Sequence, residues 1–119
     1  MKRNLLLIAL LGLFSFLSAC GNASPDPGMG QNLAVIKGCA ACHSVDEATK
    51  IGPSWVGLYG SQVQLADGSL VIADDSFLIE SIKEPNAKIV KGYSKGAMPK
   101  ISLTEQELDT LVAYIKSVK

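Results

Sequence analysis

Cys39-Ala40-Ala41-Cys42-His43 decides how this chain folds, because Cys-x-x-Cys-His is the spacing by which a protein attaches c-type haem. Two thiols one helical turn apart add across the two vinyl groups on one haem edge, and the imidazole that follows then reaches the iron. Other uses of the same residues fit less well. A structural zinc site takes four Cys or His ligands, whereas the chain holds one His and three Cys, the third far upstream at Cys20. A thioredoxin-like dithiol sits in a βαβ context, and the residues before Cys39 read as helix.

Upstream, Lys2 and Arg3 precede an apolar run from Leu5 to Leu17, followed by Leu17-Ser18-Ala19-Cys20. This is a secretory leader. The run is thirteen residues long, short of the roughly 17–25 that span a bilayer. Leu-Ser-Ala-Cys resembles the bacterial lipobox, which implies cleavage before Cys20 and lipidation of its thiol. The alternative is an ordinary cleaved signal with a leftover Cys. Residues 1–19 are thus expected to be a lipoprotein signal peptide, and 20–29 a lipidated Cys with a flexible linker rich in turn formers. Such a linker spans roughly 15–18 Å as coil and about 30 Å if stretched. A domain tethered in this way stays near the outer membrane face, in the periplasm or outside the cell.

Residues 30–119 then form one small domain. Taking Lys2 and Arg3 from the eleven basic residues leaves nine against eleven acidic, a net charge near −2. Nucleic acid is not a plausible partner for such a surface. A chain this short has little core of its own, and a buried haem supplies an apolar surface for helices to pack around.

The spacing predicts a first helix from about Met29 through His43, with Leu33, Val35 and Ile36 available for the core. Asp67-Gly68 between β-favouring residues predicts a hairpin over 63–72. Asp74-Asp75-Ser76 caps a helix that stops before Pro85. Thr104-Glu105-Gln106-Glu107 fits a capping box, with Leu103 and Leu108 as its staple. Leu108, Leu111, Val112 and Ile115 then make an apolar stripe that reads as core.

With His43 on one side of the iron, the other side needs a donor. No second His exists, Met1 goes with the leader, and Met29 lies only ten residues before Cys39. Met98 remains, in a loop bounded by Gly96 and Pro99 and some 55 residues beyond His43. A thioether is a soft neutral donor, and His/Met ligation raises the potential of haem. Lys95, Lys100 and water are the rivals. Carbonyls near Ile51-Gly52-Pro53 are placed to accept the Nδ1–H of His43; the alternative there is a plain turn. Trp55, Tyr59 and Tyr93 either line the haem or bond its propionates, or pack in the core.

Together these residues resemble class I cytochromes c over nearly the whole domain after the leader. Gly38–Ser44, Gly52–Gly60, Gly92-Tyr93 with Met98-Pro99, and Leu111–Ile115 look especially like the cytochrome c domain of haem-copper oxidase subunit II. The resemblance implies an all-α fold of haem-wrapping helices with a small β-hairpin. It implies one covalent haem c on Cys39 and Cys42, His43 and Met98 on the iron, and Pro53 supporting His43. It also implies that the first and last helices cross near Gly30 and Tyr114. Ala34 departs from it, standing where such cytochromes commonly carry an aromatic residue. No copper-binding or membrane-helix portion is present, so the chain is expected to be a free-standing, lipid-anchored version of the domain.

The expected function is single-electron transfer in a bacterial respiratory chain. Two rivals remain: a fixed relay in an oxidase or quinol-oxidising complex, and an open-site haem sensor or peroxidase. Between Lys83 and Lys100 five Lys accompany one acid, Glu84, a candidate docking surface for an acidic redox partner or simply a solvated loop.

Overall fold

The computed structural model describes residues 26–119, so the leader and the expected lipidation at Cys20 lie outside the described residues. Helix α1 runs Pro27–Ile36 and α2 Cys39–Cys42; strands β1 Gln62–Gln64 and β2 Leu70–Ile72 follow, then α3 Asp75–Lys83 and α4 Glu105–Ser117. Mostly helical with one two-stranded antiparallel sheet, this is the expected fold class. Among the described residues no helix is long and apolar enough to cross a membrane.

Helix α1 begins earlier than its apolar pattern suggests. The Asp26 side chain accepts from the amide of Gly28 at 3.0 Å, and Pro27 sits at the first helical position, where its missing N–H costs nothing. Residues 27–29, expected in the linker, are therefore helical. The single helix expected from Met29 to His43 is instead two. Gly38 takes φ +80°, the left-handed conformation that ends a helix, and Cys39 starts a new turn at once.

Helix α1 meets α4 at Gly30 and Tyr114, as the resemblance implies, but Val35 and Ile36 do not join the core as expected. Val35 and Ile36 are 64% and 78% exposed, while Gly30 and Ala34 are buried. The reason is the crossing with α4. A Cβ on Gly30 would lie 2.2 Å from the Tyr114 Cβ and 2.8 Å from the Thr110 carbonyl oxygen, so the backbones approach more closely than any side chain permits. Small residues four apart form the contact face and turn the larger Val35 and Ile36 away. Lys37 closes the C-terminal end of this contact with an ion pair to Glu107 at 2.8 Å. That ammonium, then the Thr104 amide, holds the Glu107 carboxyl below its usual range.

Helix α4 carries the expected capping box. The Thr104 amide donates to Glu107 Oε2 at 2.9 Å, and the Glu107 amide donates to Thr104 Oγ1 at 3.1 Å. Its stripe of Leu108, Leu111, Val112 and Ile115 is buried. Helix α3 is capped by Asp74, whose Oδ1 accepts from the Phe77 amide at 2.8 Å, and it buries Phe77, Leu78 and Ile82 in the same core.

The hairpin pairs Gln62 with Ile72, Val63 with Val71 and Gln64 with Leu70. Asp67 accepts from the Ser69 amide at 2.9 Å in its turn, beside Gly68 at φ +91°. It also supports the segment beyond α3. Leu65 forms a bridge with Val90, the Ala66 amide donates to the Ile89 carbonyl at 2.8 Å, and the Lys91 amide donates to the Gln64 carbonyl at 2.9 Å.

Gly30→Ala tests the crossing. Because backbone as well as side chain must move, it is expected to cost the haem-loaded protein about 2 kcal/mol or more in denaturant unfolding. An unchanged midpoint and slope would show that α1 and α4 separate without penalty.

Candidate functional site

The turn that carries the two thiols is short and held at many points. The His43 amide donates to the Cys39 carbonyl at 2.9 Å, closing α2. Beyond it the chain doubles back: the Gly52 amide donates to the Cys42 carbonyl at 2.8 Å and the Trp55 amide to the Ser44 carbonyl at 2.9 Å. The buried Ser44 hydroxyl donates to the Ala48 carbonyl at 2.7 Å, with the Asp46 carbonyl 3.0 Å away as its alternative acceptor. Lys50 Nζ donates to the Ala40 carbonyl at 2.9 Å and lies 3.4 Å from that of His43. A cation at the C-terminal end of α2 suits its exposed carbonyls.

His43 Nδ1 lies 2.8 Å from the Pro53 carbonyl oxygen. A carbonyl only accepts, so Nδ1 carries the hydrogen and the lone pair of Nε2 is left for a metal. Burial lowers the His43 pKa; the Pro53 carbonyl opposes this, and the Lys50 charge adds to it. The imidazole therefore rests neutral at neutral pH, the form that ligates. Burial also pushes the Cys39 thiol up, against a weaker opposing backbone hydrogen bond. Cys39 and Cys42 are not joined to each other in a disulfide.

Gly52 is as informative as the ligand it touches. A Cβ built there would lie 2.7, 2.9 and 3.1 Å from Cε1, Nδ1 and Nε2 of His43. Nearly equal distances to three consecutive ring atoms place it over the ring face, so only glycine allows the imidazole to lie where it does. Sequence reasoning noticed the Gly-Pro pair for its carbonyls and missed this contact. The signal was the residue type itself, a glycine directly before Pro53.

These residues open onto a cavity of about 290 Å³. Cys39, Cys42, His43, Pro53, Trp55, Tyr93 and Met98 all line it, with Leu78, Ile82, Ile101, Leu111 and Ile115 supplying apolar walls. Met98 arrives on a loop braced by the Gly96 amide, which donates to Asn86 Oδ1 at 2.7 Å, and by the Ala97 amide to the Ser94 carbonyl at 3.2 Å. Tyr59 does not join the site. It lies on the surface with Lys116 Nζ 4.6 Å from its ring centroid, and that ammonium is paired with Asp75 at 2.6 Å. Among the described residues no cluster of three or more His, Cys, Asp or Glu offers an alternative metal site.

The lysine-rich stretch is less positive in space than in sequence. Lys83 pairs with Glu105 at 3.2 Å, Lys100 with Glu84 at 2.6 Å, and Lys88 with Glu80. Lys91 donates to Gln64 Oε1 at 2.9 Å. The acids come from α3, its C-terminal end and α4, outside or at the edge of the window in which the lysines were counted.

The sequence profile of the cytochrome c family matches residues 29–119. The chain belongs to the cytochrome c family. Among solved structures it is similar to the ferricytochrome c2 from Rhodopseudomonas palustris, with a TM-score of 0.56 at 18% identity over 79% of this chain and 99% of that one. That likeness carries the fold. No curated protein matches the chain. Membership makes this cytochrome an electron-transfer haem protein with one covalently attached haem c, and Cys39, Cys42 and His43 supply the Cys-x-x-Cys-His motif it requires. The residues present fit that group: two cysteine side chains, an imidazole whose Nδ1 is held by the Pro53 carbonyl so that Nε2 is left for a metal, and a thioether share one apolar cavity.

Gly52→Ala is expected to lower the melting temperature of the haem-loaded protein by roughly 5–15 °C, through about 1–3 kcal/mol of overpacking against the His43 ring. An unaltered melting temperature would mean that ring and loop move apart freely.

Proposed function

We propose that this cytochrome c carries single electrons in a bacterial respiratory chain from a site closed by two protein ligands, His43 and Met98. The observation that supports this most strongly is the convergence of Cys39, Cys42, His43 and Met98 on one cavity, from two segments 55 residues apart. When bound, haem c supplies a one-electron couple at iron. The chain's own residues do the rest. Cys39 and Cys42 retain the group covalently, His43 is held by the Pro53 carbonyl, and the Met98 loop covers the remaining side. With His43 and Met98 both holding the iron, the chain would leave no place for a substrate there, which favours transfer over the sensor or peroxidase reading.

The second part of the proposal is the tether. A lipid on Cys20, six residues before Asp26, keeps the domain at the outer face of the membrane. Ion pairing of Lys83, Lys88 and Lys100 leaves Lys91 and Lys95 as the lysines of that stretch with no acid in an ion pair, which weakens the steering of a distant acidic partner. A tether achieves encounter differently, by raising the effective concentration towards partners in the same membrane. It serves a haem-copper oxidase or a quinol-oxidising complex equally, as shuttle or as fixed relay.

Optical spectra of the ferric and ferrous protein with carbon monoxide test the closed site. Expected are a far-red sulfur-to-iron band in the ferric wild type, its loss in Met98→Ala, and a carbon monoxide adduct only in the variant. Ready adduct formation in the wild type would overturn His/Met closure. For the tether, Cys20→Ser is expected to move the holoprotein from the membrane to the soluble fraction; retention in the membrane would remove the anchor.

A further inference from the structure

His43 and Trp55 together form a wall between two hollows. Both line the 290 Å³ cavity, and both line a second hollow of about 140 Å³ beside α1, along with Ala34, Ser44 and Tyr114. The two rings are stacked, with centroids 5.1 Å apart and planes inclined by 17°. Trp55 is only 5% exposed. Ala34 is too short to fill the second hollow, so the space behind the rings does little to hold them in place. What restrains them is their contact with each other and with a few neighbours.

Trp55 is tied to elements beyond the haem-binding turn. The Trp55 amide donates to the Ser44 carbonyl at 2.9 Å. Its indole meets Tyr114 edge to face, at 5.9 Å and 89°, and Tyr114 is itself pinned against Gly30 at the helix crossing. The imidazole has one hydrogen bond, Nδ1–H to the Pro53 carbonyl, and the Gly52 backbone lies against its ring. That bond fixes an edge of the ring, yet hydrogen-bond geometry tolerates tilting of tens of degrees. A stacked aromatic face resists such tilting, and offset-stacked pairs contribute beyond the area they bury.

We propose that Trp55 is a positioning residue for the iron ligand: its indole, stacked on His43 and locked by Tyr114, fixes the plane of the imidazole so that it keeps one orientation in both oxidation states. This rests on His43 being the iron ligand. The orientation of the imidazole plane sets how its π orbitals overlap the iron d orbitals, so the effect is read at the metal. A residue that merely filled space would not produce it.

The test uses holoprotein of wild type, Trp55→Phe and Trp55→Leu. Hyperfine-shifted His43 ring protons in the ferric wild type show that His43 is on the iron; their absence overturns the ligand reading, and the proposal with it. Given those protons, the low-spin ferric g values and the spread of haem-methyl shifts are expected to change in Trp55→Leu, which keeps apolar bulk without a stacking face. They are expected to return towards wild type in Trp55→Phe. Trp55→Leu spectra identical to wild type would overturn the proposal even if its melting temperature fell, since loss of packing alone does not rotate the ligand. If Trp55→Leu fails to mature, cross-relaxation between indole and His43 ring protons in the ferrous wild type decides. Its presence supports the stack, and its absence overturns it.

Discussion

The close approach of α1 to α4 at Gly30 is the constraint on which the rest of the domain depends. It joins the two ends of the described chain, and everything between them is suspended from that joint. Because α1 lies tight against α4, the break at Gly38 delivers Cys39 to the rim of the cavity whose wall is formed by Leu111 and Ile115. Tyr114, held at the crossing, meets Trp55, and Trp55 meets His43. The packing of two helices is thus transmitted within three residues to the proposed iron ligand. A looser crossing would leave the thiols in place in sequence and misplaced in space.

Around His43 the chain spends several polar groups on one short turn. Ser44, Lys50, Ser54 and the carbonyl of Pro53 satisfy or fix backbone and ring atoms within about a dozen residues of the thiols. An electron carrier benefits from such a frame, because a site that does not rearrange between oxidation states has less to reorganise at each transfer. Among the described residues no buried side-chain polar atom lacks a partner, so this rigidity is not accompanied by unsatisfied groups.

Much of this was legible in the residues. Capping signals at Asp74 and Thr104, the Asp-Gly turn and the stripe on α4 are local, and each formed as its chemistry suggests. Three features were not legible, for one reason: they depend on what lies opposite. Val35 and Ile36 look like core until a glycine four residues from Ala34 selects a different contact face. Lys83 and Lys88 look like part of a positive surface until Glu105 and Glu80 fold onto them. Tyr59 resembles Trp55 and Tyr93 in type, but only the fold shows that it lies under Lys116, away from the cavity. Gly38 is different, since a glycine just past a helical run is itself a stop signal; the expectation of one continuous helix passed over it.

The two proposed ligands stand on unequal ground. His43 belongs to a turn stitched by local hydrogen bonds, whereas Met98 rides a segment from Pro85 to Leu103 that contains no helix and leans on the hairpin through Leu65, Ala66 and Gln64. Segments of that kind open at lower free energy than a packed helix pair. Opening of the Met98 segment would leave the covalent attachment at Cys39 and Cys42 untouched. Damage of this sort is repaired by reclosing a loop and does not require the cofactor to be found again.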